Sequence, residues 1–257
     1  MNINRITLAL VLCSAALAPA FAAESRVSAV LKAIDDNYKM KKDMRADVTL
    51  TQQKAGQGTK IMDMAYFRRD SDDAFLIAMR APENERGNGY LRVGDNFWMY
   101  RKNTRTFQHV NRDESIGGSD AHGDDFETRK LDELYGPLVK PDGKEDFGEE
   151  MLGKVPVHRF EVRAKVNDVD YPRQIFWTRR DNGLLLKQES YSLSGTLMQT
   201  AYFLKFTEIE GRFVAVKQLF IDEFEKGNKT IVEISGIVPG KLEDKIFTKA
   251  YLENLSK

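Results

Sequence analysis

The chain reads as mainly β: one curled antiparallel sheet, led by an amphipathic helix and interrupted midway by a second helical segment. Three observations point there. Short runs rich in β-branched and aromatic residues follow one another, each bounded by Gly, Asp, Asn or Ser. The later runs are joined by hairpin-length turns, so neighbours pair antiparallel in a meander. The runs make about eleven to thirteen strands, several of about ten residues, and a sheet that wide twists and closes wholly or partly into a barrel, which hides its edges.

Residues 25–40 carry Val27, Val30, Leu31, Ile34 and Tyr38 at helical spacing behind a Ser25 N-cap, with lysines near the end to suit the helix dipole. Strands are expected over 44–53, 60–69, 74–81, 90–93, 97–100 and 106–110, then over 147–152, 157–165, 173–179, 184–191, 196–206, 212–221 and 230–235. Between the two blocks, 124–135 reads as a helix carrying Phe126, Leu131, Leu134 and Tyr135, ended by Gly136-Pro137 and placed as a lid over the barrel mouth. A short third helix is expected over 246–255. The densest aromatic run, Phe97-Trp98-Met99-Tyr100, is bulky on both faces, whereas a half-solvated strand alternates bulky with polar, so an apolar layer must cover each side.

Residues 1–22 have the basic start, apolar middle and small-x-small end (Ala20-Phe21-Ala22) of a secretory signal peptide. Residues 23–257 are then expected to form one domain, long enough for one sizeable core. The whole chain has 39 basic and 39 acidic residues; removing the leader takes away Arg5 and no acid, leaving 38 against 39 and a formal charge of −1. That balance argues against nucleic acid, which needs a basic footprint. Cys13, the one cysteine, lies in the leader after Leu12, where a lipidation signal wants a small residue, so the remaining chain has no disulfide, thiol nucleophile or zinc thiolate. No other segment is long and apolar enough to span a bilayer, and a soluble periplasmic protein is expected.

His109, His122, Asp120, Asp124 and Asp125 lack metal-ligand spacing, and the adjacent Asp124 and Asp125 suit a helix N-terminus better than a catalytic pair. No nucleophile elbow, phosphate loop or zincin motif is present, so neither an enzyme nor a cofactor is expected. Arg68, Arg69, Lys102 and Arg105 read as solvated strand ends, with contact to lipid headgroups or a membrane partner as the alternative.

Gly89-Tyr90-Leu91, the aromatic strand from Asn96 to Tyr100, Thr106 to Val110, Ser115 to Asp120 and Asp124-Asp125-Phe126 together resemble the LolA-like outer-membrane lipoprotein-sorting family, in its broader divergent branch. The likeness continues at Gly153 to Val157, Arg173 to Trp177 and Gly183 to Lys187, and spans nearly all of the chain after the leader. One departure stands out: Ala121-His122-Gly123 are interposed where the family passes almost directly into the lid. The resemblance implies a half-open, unclosed barrel capped by helices, with an apolar cavity that takes acyl chains of a lipid or lipoprotein. It also implies a monomeric periplasmic carrier or, alternatively, a non-catalytic adaptor of an ABC or RND-type inner-membrane transporter. Strand alternation supplies candidate lining residues without fixing which face points inward. They are Phe75, Ile77 and Met79; Leu91; Trp98 with Tyr100, or Phe97 with Met99; Phe107; Phe176; and Tyr202, Leu204 and Phe206, with Leu131 and Leu134 from the lid. Methionines scattered along the strands suit a surface that adapts to varied ligands.

Overall fold

A computed structural model describes residues 25–111, 113–123 and 130–256. Helix α1 runs Arg26–Tyr38, and the Ser25 hydroxyl accepts the Ser28 amide at 3.0 Å as its N-cap. Six strands follow: β1 (Met44–Lys54), β2 (Gly58–Arg69), β3 (Ala74–Ala81), β4 (Gly89–Val93), β5 (Asn96–Arg101) and β6 (Thr106–His109). After the central segment come α2 (Leu131–Leu134), β7 (Tyr135–Pro137), β8 (Phe147–Leu152), β9 (Val155–Ala164), β10 (Arg173–Arg179), β11 (Leu185–Tyr191), β12 (Leu197–Ile209), β13 (Arg212–Asp222) and β14 (Lys229–Pro239). A 3-10 turn (Asp244–Phe247) and α3 (Lys249–Leu255) end the chain.

Among the described residues, these fourteen strands form one antiparallel sheet that does not close, ordered β6-β5-β4-β3-β2-β1-β14-β13-β12-β11-β10-β9-β7, with β8 also on β9. The first and last strands, β1 and β14, pair at its middle, from Met44 opposite Pro239 to Gln53 opposite Lys229. The free edges therefore belong to β6 on one side and to β7 and β8, both carried by β9, on the other, and the central segment leads the chain from one edge to the other.

Concave and convex faces follow from strand alternation. On the concave side, Met40, Met44, Met62, Met64, Met79 and Met99 join Phe75, Ile77, Tyr90, Phe97 and Phe220 in the largest cluster of buried side chains. Helix α1 lays Val27, Leu31 and Ile34 over Phe160, Phe176 and Leu185 on the same side of the sheet's other half. On the convex side, Leu76, Leu91 and Tyr100 are sealed by Ile246, Phe247 and Leu252 from the C-terminal segment. A Cβ on Gly89 would lie 2.4 Å from the Ile77 carbonyl oxygen and 2.7 Å from Leu252 Cδ1, so glycine is what lets α3 and β3 approach β4.

Strand bounds shift by up to four residues, as in β14, which runs to Pro239 instead of Ser235, and both later helical segments differ from expectation. Tyr135, expected at the end of the central helix, opens β7 opposite Ala164, because Gly136-Pro137 cannot extend a helix and the β9 edge offers a partner. The C-terminal helix splits into a 3-10 turn and α3 at Thr248, whose hydroxyl caps α3 by accepting the Tyr251 amide. The expected leader, within residues 1–24, and residues 124–129 of the expected lid lie outside the described residues.

Candidate ligand cavity

A cavity of about 680 Å³ lies between the two helices and the concave face. Ile34 and Tyr38 of α1 and Leu131 and Leu134 of α2 form its roof. Met44, Phe203, Val214, Phe220, Val232 and Ile234 form an apolar floor across β1, β12, β13 and β14. Its volume falls in the range of small-molecule sites. Among the described residues, no histidine or cysteine lines it.

One end is polar and charge-paired. Arg68 on β2 binds Asp70 through Nε and through an Nη2–Oδ2 bond of 2.7 Å, and donates to the Tyr38 carbonyl at 3.1 Å. Asp70 also accepts the Met40 amide at 2.7 Å. This pair clamps the C-terminus of α1 to the β2–β3 turn, so Arg68 is a half-buried tie rather than a solvated strand end. Arg92 is buried beside it and donates to the Gly94 carbonyl at 2.9 Å. Burial pushes the Tyr66 phenol up to about 12.

The roof carries one perturbed acid. Burial raises the Asp35 carboxyl from 3.8 to about 7, the amides of Leu131 and Asp132 oppose that, and the charges of Asp132 and Asp36 add to it.

The expected lining residues separate by face. Leu131 and Leu134 line the cavity. Phe75, Ile77 and Met79 lie in the concave cluster that forms part of its floor, and Phe176 lies under α1. Leu91, Trp98, Tyr100 and Phe107 lie on the convex face beneath the C-terminal segment, where Lys249 Nζ sits 4.2 Å from the Trp98 ring centre. Tyr202 alternates with concave Ala201 and Phe203 and meets the Lys187 ammonium on the outer side, and Leu204 is exposed. The aromatic strand thus lines the concave side with Phe97 and Met99, its other pairing. Sequence reasoning missed Met44, Val214, Phe220, Val232 and the Arg68–Asp70 pair; β1 and β14, which bring the floor together, are far apart in the chain.

Residues 113–123 form a second feature over the concave face. The loop closes on itself: the Ile116 amide donates to the Ala121 carbonyl at 2.8 Å, the Gly123 amide to the Glu114 carbonyl at 3.0 Å, and Ser115 bridges His122. The three interposed residues Ala121, His122 and Gly123 therefore supply its closing strand. Asp120 accepts the Thr230 hydroxyl at 2.8 Å, and its burial raises its carboxyl above the ordinary value. His109 faces Trp98 at 6.0 Å, and no cluster among the described residues could hold a metal ion; Asp124 and Asp125 lie outside them. No helix among the described residues is long and apolar enough to cross a membrane.

Solved structures share this architecture. A LolA superfamily protein from Nitrosomonas europaea is 18% identical, with 87% of this chain and 97% of that chain covered at a TM-score of 0.72. A domain named for outer membrane lipoprotein sorting, from Vibrio parahaemolyticus, is 17% identical, with 88% and 97% covered at 0.76. A DUF1329 family protein from Desulfovibrio piger is 19% identical, with 89% and 99% covered at 0.77. At such identity the likeness is one of fold. No curated protein matches the chain. A family model described as "-like: Uncharacterized protein" matches residues 71–254. The chain belongs to that family, and its fold is the one shared by the LolA superfamily and lipoprotein-sorting-domain structures above.

Proposed function

We propose that this protein is a non-catalytic periplasmic carrier that holds acyl chains of a lipid or lipoprotein in the cavity and ferries them toward the outer membrane. The observation that carries this reading is the cavity itself, an apolar concave floor under a two-helix roof with about 680 Å³ between them. Each CH₂ left in water costs about 0.8 kcal/mol, so a multiply acylated molecule faces a barrier on the order of tens of kcal/mol to cross an aqueous space alone. A concave apolar surface lowers that barrier. The apolar floor suits acyl chains, and the charged residues gathered at one end and on the roof, among them Arg68, Asp70, Arg92, Lys130 and Glu133, suit a polar headgroup.

The test is native mass spectrometry of protein purified from periplasm under mild conditions. A co-purifying acylated species, lost when Leu131 or Leu134 is replaced by aspartate, is the expected result. An apo mass that persists after incubation with phospholipid and with a triacylated peptide overturns the carrier reading and leaves the transporter-adaptor role.

A further inference from the structure

We propose that residues 115–123 are a displaceable plug, and that the methionine-floored groove beneath them is a second acyl subsite reached only by chains longer than the open cavity holds. The proposal rests on the cavity's being an acyl site and adds to it a latent extension.

Three strands carry the concave surface from the cavity to the loop without a break. On β1, Met44 lines the cavity, Val48 and Leu50 follow in the same cluster, and the Gln52 amide donates to the Gly118 carbonyl at 2.6 Å. On β2, Tyr66 lines the cavity and Met64 leads to Met62, whose sulfur would lie 2.6 Å from a Cβ on Gly117. On β14, Val232 lines the cavity and Thr230 binds Asp120. The groove is one surface, open at one end and covered at the other.

What covers it is a poor match for an apolar floor. From Ile116 to Ala121 the loop contributes two buried apolar side chains, Ile116 and Ala121; between them stand Gly117, Gly118, Ser119 and Asp120. Gly117 has φ +63°, a conformation that favours glycine, and any side chain there would run into Met62. Ordinary core would place bulk on such a floor. Methionines can instead re-pack around a new occupant.

The attachment is also of a releasable kind. The backbone bonds of residues 115–123 that the structure describes stay within residues 111–123. Its ties to the sheet come from side chains: Tyr90 Oη donates to the Ser115 carbonyl at 3.2 Å and accepts the Gly117 amide at 2.9 Å, and Lys60 Nζ donates to the Gly117 carbonyl at 3.3 Å. On the other side of the groove, Gln199 donates to the Asp120 carbonyl at 3.1 Å, and Thr230 Oγ1 accepts the Asp120 amide at 3.1 Å. The loop can lift as a closed unit and exchange these bonds for water, while an acyl chain takes its place on the methionines.

The test uses the full chain with Cys13→Ser and lysophosphatidylcholines of rising length, octanoyl to stearoyl. Asp120→Cys with Thr230→Cys, oxidised, should hold the plug down, and Tyr90→Phe with Thr230→Val should loosen it. Stearoyl affinity should fall to the short-chain level in the oxidised form, recover on reduction, and rise about tenfold in the loosened form, with octanoyl affinity unchanged throughout. A second measurement needs no crosslink: maleimide labelling of Ala121→Cys, buried at rest, should accelerate with stearoyl lipid and not with octanoyl. Short-chain binding with the same length profile in locked and reduced forms, and unchanged labelling, would overturn the plug and leave the carrier standing. Binding of no lipid by any form overturns both.

Discussion

The carboxylate of Asp35, in the second half of α1, is held against the backbone amides of Leu131 and Asp132, where α2 begins. Its Oδ2 makes no hydrogen bond among the described residues. Burial raises its pKa to about 7, and the charges of Asp132 and Asp36 reinforce the shift while the two amides oppose it. Lys130, the nearby cation, is paired with Glu133. Because the folded-state pKa lies above the unfolded one, the stabilising contribution is complete below about pH 4 and is lost as pH rises through about 7. The full shift corresponds to ~4 kcal/mol, which solvent screening at a partly exposed group reduces to ~1–2 kcal/mol. Asp35→Asn should therefore be more stable than the parent at roughly pH 8 and close to it at roughly pH 4, as read from urea midpoints.

The Arg68–Asp70 pair should dominate the anchoring of α1. Asp70 is almost fully buried and holds both the guanidinium and the Met40 amide. Asp70→Ala leaves a buried charge without its partner, which costs about 3–5 kcal/mol. Arg68→Met with Asp70→Leu removes both charges and should recover most of that loss. A double variant as unstable as the single one would show that the pair's worth lies in its bonds to Tyr38 and Met40 rather than in charge balance.

Much of this fold was legible because hairpin punctuation is local. The bounds of β3, β8 and β10 and the Ser25 cap of α1 agree with expectation, since Gly, Asp and Asn mark turns by their own backbone preferences. The faces were not legible. In β3 the six residues Ala74–Met79 are all buried, so alternation marks two faces and names neither. What sealed the second face of Trp98 and Tyr100 was Phe247 and Leu252, far along the chain, and no periodicity around residue 98 encodes that. Arg68 likewise read as a solvated strand end because its partners, Asp70 and the Tyr38 carbonyl at the end of α1, come together only in the fold.

Gly89 tests the docking of the C-terminal segment. A methyl group there would meet the Ile77 carbonyl, which belongs to the paired neighbouring strand and cannot swing aside, as well as Leu252. Gly89→Ala should cost about 1–3 kcal/mol by overpacking and increase hydrogen exchange in residues 249–255. Leu252→Ala, which relieves the Leu252 contact and leaves the Ile77 one, should cost about 2–5 kcal/mol alone. The two losses should combine to less than their sum, because the sites touch.

The sharpest contrast is between Leu134 and Trp98, both expected from sequence to line a cavity and placed on opposite faces of the sheet. Leu134 lines the cavity roof, partly exposed on the short helix α2. A carboxylate there should lower acyl affinity at least about tenfold, since it sets a charge against the ligand's apolar surface, while global stability changes by under ~1 kcal/mol. Trp98 packs against the C-terminal segment under the Lys249 ammonium. Trp98→Ala should cost ~1–3 kcal/mol of stability, through lost packing and a cation–π contact of about 0.5–1 kcal/mol, with acyl affinity unchanged at temperatures where the protein stays folded. Both quantities can be measured on the same samples, by thermal unfolding with and without lipid. A Leu134→Asp protein that melts early and binds normally, beside a Trp98→Ala protein that melts normally and does not bind, would invert the assignment of faces.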